Sequence, residues 1–587
     1  MCGILGYAGS GEAAPVLLKG LKNLEYRGYD SVGMATISQS LTLFKGVGKI
    51  EKVTDGLDLQ SLKGHIGIGH TRWATHGSVS ENNAHPHVDC QNRLAIVHNG
   101  IIENYRELKG LLSEGGHRFS SSTDSEVIAH LIEEGMDEGM ESACIRAFMR
   151  LQGSFAVLAI AEGEDKIVAV RKDSPLVLGL IEGGVIFASD VSAILEWTKK
   201  VVYLQNYDVV IAGREGMSIY NLLQEEEVSR PIDSVSWDMD QARKGEFEHF
   251  MLKEITEQAK TVNKAIMQDG EVVNRILKEI RKATGIFFVG CGSSYHACLA
   301  GSYLFSKIAG VHVNLVLASE FENYEHFLTK DTLVIAVSQS GETADVLDAV
   351  RVARRRKSKV IGITNVMGSS LTREGDELLM MNSGPEICVL STKTYTSQVV
   401  LMSLLAYSLA GKSKECINGI KGLYLDIYNL TSKSMRDYLR DLASVLARMD
   451  HMYAIGRGLQ YATAMEAALK IKEVSYIHTE AFSGGELKHG PLALIEQGTP
   501  VFAFVGRDGR EKILSNAQEV KARGGYIIGI SEINDDVFDY WIKVPECGDF
   551  DPIIQAIPMQ ILAYELAIQR NLDPDKPRNL AKCVTVL

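Results

Sequence analysis

A cysteine stands directly behind the initiator methionine in Met1-Cys2-Gly3-Ile4-Leu5-Gly6. With Met1 removed, that thiol shares its residue with an α-amine of reference pKa about 7.7–8.0, so nucleophile and general base lie together. Taken alone, Cys2 reads more simply as a small buried residue of a first strand. Residues further on reverse that reading. His70-Thr71-Arg72-Trp73-Ala74-Thr75-His76-Gly77 follows one apolar run and His98-Asn99-Gly100 follows another. The Asn99 amide and a Gly100 N–H supply two donors to a developing oxyanion, which thiol attack on an amide requires. Arg72 offers a planar fork for a carboxylate. Asp124 is either a counter-charge for an ammonium or, equally, the N-cap of a helix beginning near Ser125. Thiol, oxyanion hole, carboxylate clamp and ammonium clamp together describe an amino acid with a side-chain amide, glutamine.

A second chemistry is written in Ser338-Gln339-Ser340-Gly341-Glu342-Thr343, between the apolar run Leu333–Val337 and a helix from Ala344. Hydroxyls, backbone N–H groups and a helix N-terminus cradle a phosphate; the bland alternative is an N-cap turn. There is no Walker lysine, so a phosphate monoester fits better than a triphosphate. Ser293 and Ser294, at the end of an earlier apolar run, add donors. Gly290-Cys291-Gly292 lacks the third glycine of a dinucleotide fingerprint. Further candidates are Lys470, Glu473 and His489; Lys582, in an apolar tail, reads by itself as a solvated tail lysine, although docking of that tail would lower its pKa toward Schiff-base chemistry.

These residues need elements to hold them. A helix is expected over Ala13–Leu24, with strands at Ile66–His70, Arg93–His98, Phe155–Ala161, Lys166–Val170, Pro175–Leu180, Val185–Ala188 and Asp208–Ala212. Helices are expected at Asn104–Leu112, Ser125–Glu134 and Glu141–Leu151. That mixture predicts a layered α+β domain. A polar stretch over 225–248 reads as a linker. The remainder is duplicated: Val289-Gly290-Cys291-Gly292 and Ile455-Gly456-Arg457-Gly458 start at 289 and 455, a shift of 166 residues. Each copy alternates short apolar runs with helical text, the pattern of a doubly wound parallel sheet with ligands at the carboxyl ends of its strands. The second copy replaces the hydroxyl loop by Val505-Gly506-Arg507-Asp508-Gly509-Arg510, so one phosphate site per chain is expected.

Composition excludes several classes. A net charge of −13 over 587 residues argues against a nucleic-acid surface. The apolar helical stretch Val399 to Ala410 is shorter than the about 20 residues that cross a bilayer, and no signal peptide is expected. Nine cysteines without a CxxC pair fit the reduced thiols of a cytoplasmic protein. Six of the 15 histidines fall between His65 and His98, but without ligand spacing, so no metal site is expected.

Cys2-Gly3-Ile4, Leu24-Glu25-Tyr26-Arg27-Gly28-Tyr29-Asp30-Ser31, the His70–Gly77 stretch and His98-Asn99-Gly100-Ile101-Ile102-Glu103-Asn104 resemble the N-terminal-nucleophile (class II) glutamine amidotransferase domain. Ser338 to Thr343, Ser391-Thr392-Lys393, Glu486-Leu487-Lys488-His489-Gly490-Pro491 and Arg578-Asn579-Leu580-Ala581-Lys582 resemble paired sugar isomerase (SIS) domains. In that order they are similar to the glutamine–fructose-6-phosphate aminotransferase family, over essentially the whole chain. Tyr395 and Cys583 depart from the pattern, and neither carries an expected role.

The resemblance implies an α+β N-terminal-nucleophile glutaminase over 2–224, the linker, and α/β doubly wound SIS domains over 249–424 and 425–587, the last with the C-terminal tail. It implies Thr75, His76 and His85 in the glutamine pocket, an ammonia channel gated by Trp73, and a sugar phosphate at Ser293, Ser294, Ser338, Gln339, Ser340 and Thr343 with Val389 and Ala581 beside it. Lys582 would form the imine, Glu473 would move a proton between C2 and C1, His489 would open the ring and Lys470 would assist. A homodimer through the SIS domains is implied, with no metal or organic cofactor. The rivals are another class II amidotransferase acting on a different sugar phosphate, an enzyme sharing only the first domain, whose diphosphate or ATP loop is not found, and a sugar-phosphate sensor, which would not need Cys2 with Asn99-Gly100.

Overall fold

The structure, a computed structural model, describes residues 2–74, 76–214, 216–235 and 244–585. The chain divides into two compact units, Met1–Arg243 with Ala581–Leu587, and Lys244–Leu580.

In the first unit, strand Gly3–Ala8 runs through an eight-stranded sheet, antiparallel to Gly184–Ala188 on one side and Ile66–Arg72 on the other. A seven-stranded sheet pairs Leu94–Ile102 with Gly153–Ala161. Side chains alternate across a strand. Ala95 and Val97 therefore join Ile4, Ile68 and Leu158 in a core between the sheets. Leu94 and Ile96 point the other way, into a core with Leu108, Leu112, Ile128, Ile132 and Phe148 from the helices Tyr105–Glu114, Glu126–Glu133 and Met140–Arg150. Helix Ala13–Leu24 covers the other sheet through Leu17, Leu21 and Leu24, packed with Leu5 and Tyr7. Helix, sheet, sheet and helix form four layers, the α+β arrangement expected.

Two details differ from the sequence expectation. His98, Asn99 and Gly100 lie inside the strand Leu94–Ile102, not beyond its end, because the backbone ladder continues through Asn99 opposite Ala156 and Gly100 opposite Phe155 whatever the side-chain polarity. Within the polar stretch read as a linker, Glu226–Glu227 pairs with Tyr220 and Asn221, and Asp233–Ser234 pairs with Lys200 and Val201, as short edge strands of the first unit. Edge pairing uses backbone groups and tolerates charged side chains.

The second unit contains two five-stranded parallel sheets. In the first, strand Gly285–Gly290 lies between Asn314–Leu317 and Thr332–Ser338, followed outward by Lys359–Thr364 and Glu377–Met380. The second repeats this order with His451–Gly456 between His478–Ser483 and Pro500–Phe504, then Tyr526–Ser531 and Tyr540–Lys543. In each sheet the strand order reverses between the first and third strands of the chain, where a doubly wound fold binds ligands. The copies agree in backbone detail. Gly292 (φ 52°, ψ −127°) and Gly458 (φ 57°, ψ −127°) each precede the helix after the first strand, in a region closed to side chains with a Cβ. Helices Lys393–Leu409, Leu459–Ser475 and Asp551–Gln569 are buried together in one apolar core with residues of both sheets. Among the described residues, no helix is long and apolar enough to cross a membrane.

Candidate functional site

Cys2 precedes strand Gly3–Ala8, whose Gly3 lies opposite Thr71, and so its sulfur meets the end of strand Ile66–Arg72. Trp73 N donates to Cys2 Sγ at 3.3 Å, and Sγ lies 3.4 Å from Trp73 O. Asn99 Nδ2 donates to the Cys2 carbonyl at 3.1 Å, with Arg27 Nε at 3.3 Å from the same oxygen. Burial pushes the Cys2 thiol above its ordinary value, with Arg72 pulling the other way. A buried thiol of raised pKa needs an adjacent base to act as a nucleophile.

The orientation of Asn99 is fixed from behind. His70 Nε2 lies 3.1 Å from Asn99 Oδ1 and 3.0 Å from His98 O, both acceptors, which places the proton on Nε2. Burial holds His70 neutral, its pKa pushed down to about 3. Gly100 has φ +123°, and an added Cβ would sit 2.0 Å from Ser154 O, so this position accepts only glycine. Asp124 is buried and accepts from Ile102 N at 2.8 Å. It ties the loop before helix Glu126–Glu133 to the strand that carries Asn99 and Gly100. The N-cap position belongs to Ser125, which makes no side-chain capping bond.

Arg72 Nη1 donates to Ser78 O at 3.1 Å and Nη2 to His76 O at 2.5 Å, folding the 76–78 loop around the guanidinium. Trp73 meets Tyr29 edge-on with ring centres 5.6 Å apart. His76 packs edge-on to Tyr105 at 5.7 Å. His85 is buried, stacked on His70 at 4.1 Å and pushed well below its ordinary pKa by burial. Thr75 lies outside the described residues.

In the second unit, Ser338 ends the third strand of the first sheet. Its Oγ lies 2.8 Å from Thr343 Oγ1 and accepts from Gly341 N at 3.0 Å. Ser340 Oγ accepts from Glu342 N at 3.1 Å. Thr343 occupies the N-cap of helix Ala344–Arg355 without making a capping bond, so its hydroxyl serves the loop. The backbone of Gln339 is anchored through its carbonyl to Asn365 N at 3.0 Å. Glu342 is turned aside, accepting from Ser370 N at 2.8 Å and Ser370 Oγ at 2.7 Å. Ser293 and Ser294 begin the helix Ser293–Leu304 at the neighbouring strand end and are buried. Such a nest of hydroxyls and N–H groups at the switch point suits a dianionic monoester. Val389 is buried, its N–H donating to Asp575 O at 3.2 Å.

Ser293 Oγ donates to Glu466 Oε1 at 2.9 Å. Glu466 lies 3.5 Å from Lys470 Nζ, which lies 2.6 Å from Glu473 Oε2. Burial alone would lower the Lys470 pKa, but Glu466 and Glu473 overcome it and hold the ammonium charged. His489 is exposed on the turn Glu486–His489. Ala581 and Lys582 are half-buried in the tail that groups with the first unit, and Cys583 is buried there.

Comparison with known proteins follows the same division. The glutamine amidotransferase domain family matches residues 70–196, and the SIS domain family matches residues 279–408 and 445–569. The glutamine–fructose-6-phosphate aminotransferase [isomerizing] of Thermococcus kodakarensis is 45% identical over 100% of both chains. The chain belongs to the glutamine–fructose-6-phosphate aminotransferase family. Its relative of the same name in Clostridium tetani is 42% identical, again over 100% of both chains. The solved C-terminal domain of glucosamine-fructose-6-phosphate aminotransferase from Francisella tularensis is 34% identical with a TM-score of 0.51, covering 57% of this chain and 99% of that one.

Two features of this aminotransferase-family chain escaped the sequence reading. Glu466 belongs to no motif, and its sequence signal is the helical spacing (i, i+4, i+7) of Glu466, Lys470 and Glu473 along one charged stripe. Cys90, His117, His130 and Glu133 are scattered along the chain, and only His130 and Glu133, three apart on one helix, give a local sign.

Proposed function

We propose that the chain transfers the amide nitrogen of glutamine to fructose 6-phosphate with isomerisation, yielding glucosamine 6-phosphate and glutamate. The observation that carries this reading is the joining, in one chain alike over its full length to aminotransferases of that name, of a thiol beside an oriented amide and a hydroxyl-lined turn at a switch point.

Cys2, deprotonated by its own α-amine, attacks the glutamine side-chain carbonyl. Asn99 Nδ2 and the Gly100 N–H receive the oxyanion, as the amide held by His70 supports. Arg72 takes the α-carboxylate and Asp124 the α-ammonium, with Thr75, His76 and His85 lining the pocket. The tetrahedral intermediate expels ammonia, protonated by the amine, and water then hydrolyses the thioester to glutamate. Free ammonia in water at neutral pH is mostly ammonium, so a sheltered path past Trp73 keeps it nucleophilic.

Ser293, Ser294, Ser338, Gln339, Ser340 and Thr343 hold the phosphate, with Val389 and Ala581 alongside. Lys582 forms an imine at C2 with loss of water, and ammonia displaces the lysine. Glu473 then carries a proton from C1 to C2, His489 serves ring opening and closing, and Lys470 fixes the Glu473 carboxylate. The imine is itself the electron sink, so no organic cofactor enters. The reading places the enzyme in the cytoplasm as a homodimer joined through its isomerase halves.

The test is product formation from glutamine and fructose 6-phosphate. Cys2→Ala should lose glutamine use and keep sugar isomerisation, whereas Lys582→Ala should lose synthesis. Full glutamine hydrolysis by Cys2→Ala would refute the nucleophile, and synthesis by Lys582→Ala would refute the imine.

A further inference from the structure

Three separate segments of the first unit converge on one point. Cys90 lies in the turn before strand Leu94–Ile102, His117 follows helix Tyr105–Glu114, and His130 and Glu133 share helix Glu126–Glu133. Cys90 Sγ lies 3.6 Å from His117 Nδ1 and 3.6 Å from His130 Nδ1. Glu133 Oε2 lies 2.9 Å from each of the same two nitrogens. All four atoms fall within 4.8 Å of one another.

We propose that Cys90, His117, His130 and Glu133 bind a zinc-class divalent ion in a closed tetrahedral site. One thiolate, two imidazoles and one carboxylate form a borderline ligand set that suits zinc and is foreign to magnesium or calcium. The distances agree. Bonds of about 2.3 Å to sulfur and about 2.0 Å to nitrogen at tetrahedral angles set sulfur and nitrogen about 3.5 Å apart. Nitrogen and carboxylate oxygen would open from 2.9 Å to about 3.3 Å around the ion, a movement within side-chain reach. A hydrogen-bonded pair of histidines sharing Glu133 would account for the two short contacts. It gives the Cys90 sulfur no reason to face both Nδ1 atoms.

The surroundings are those of a ligated site. Arg118 N lies 3.5 Å from Cys90 Sγ, a backbone donor to a thiolate, and Cys90 N donates to Glu133 Oε2 at 3.2 Å. With Nδ1 given to the ion, the buried His130 Nε2 faces Glu126 Oε1 across 3.9 Å, beyond hydrogen-bond distance, and would have to close on it for the carboxylate to steady a metal-bound imidazole. Glu126 is in turn held by Ser120 N and Ser121 N, both at 2.7 Å. The ion would clip both ends of the 117–130 segment to the turn at Cys90, a structural role.

The full chain purified without chelator should carry about one zinc per chain by elemental analysis. Protein stripped with a chelator and refilled with cobalt(II) should show the intense visible bands of a tetrahedral centre and a thiolate-to-cobalt charge-transfer band. Zinc should shield Cys90 from alkylation and raise the unfolding temperature of the stripped chain. Cys90→Ser should remove the charge-transfer band and weaken zinc binding at least tenfold, and His130→Ala should lower it further. Failure of the stripped wild-type chain to take up either metal would overturn the proposal. So would octahedral cobalt without a thiolate band, or undiminished metal binding by Cys90→Ser.

Discussion

Ser293 and Glu466 are joined by a 2.9 Å hydrogen bond across 173 residues of chain. Ser293 opens the helix after the first strand of one sheet, and Glu466 lies on the helix after the first strand of its duplicate. His296 Nδ1 also lies 2.8 Å from Glu466 Oε2. The two copies thus share one buried polar chain, running from Ser293 through Glu466 and Lys470 to Glu473.

Glu466→Gln should therefore cost more than its exposed counterparts. It leaves the buried Lys470 ammonium with Glu473 as its near counter-charge, and removing one member of a buried charged cluster costs about 3 kcal/mol. Chemical denaturation followed through the second unit should show that loss. Synthesis should fall while glutamine hydrolysis persists. An unchanged unfolding midpoint would show that the cluster is not coupled.

In the proposed mechanism Asn99 Nδ2 is one of the two oxyanion donors, and Asn99→Ala removes it while leaving Arg72 in place. The turnover of glutamine hydrolysis should drop about 100- to 1,000-fold with little change in KM. Steady-state kinetics separates the two quantities, and a rise in KM at constant kcat would assign Asn99 to binding.

Ser338→Ala and Thr343→Val each remove a hydroxyl from the 338–343 turn. Each should weaken fructose 6-phosphate binding about tenfold, the order of one hydrogen bond to a charged group, measured by calorimetry. Binding of inorganic phosphate should weaken in parallel, and glutamine hydrolysis should be untouched. Equal affinity in both variants would move the phosphate elsewhere.

Much of this was legible because the signals were local or repeated. The hydroxyl turn is one unbroken stretch, and the duplication shows as a constant shift between glycine motifs that adopt the same backbone angles at Gly292 and Gly458. What was not legible depends on distant pairing. The ladder that carries strand Leu94–Ile102 through Asn99 is set by its partner strand, not by its own polarity. The Ser293–Glu466 bond and the convergence of Cys90 with His117 and His130 join residues whose separations form no motif. Charged edge strands such as Glu226–Glu227 look like linker because their pairing uses only backbone.

The buried histidines His70, His85 and His87 predict acid lability. His70 is held neutral to about pH 3, and burial pushes His85 and His87 well below their ordinary values too. Their pKa values are lower in the folded chain than in the unfolded chain. Below about pH 6.5 the unfolded chain therefore binds protons that the folded chain refuses. The His70 contribution is complete above about pH 6.5 and is lost as pH falls toward about 3, by about 1.4 kcal/mol per pH unit, and those of His85 and His87 are lost in the same direction. Urea unfolding of the first unit at about pH 7.5 and about pH 5.5 should show the loss, with a shallower slope for His70→Gln. A His70→Gln slope equal to that of the wild type would remove His70 from the set.

The central claim is that Cys2 works as a nucleophile because its own α-amine is free to be its base. Mass spectrometry of the amino terminus of catalytically active protein tests it most directly. The scheme predicts that active chains begin at Cys2 and that quenching during glutamine turnover traps a glutamyl group on that residue. Active chains that still carry Met1 would contradict it.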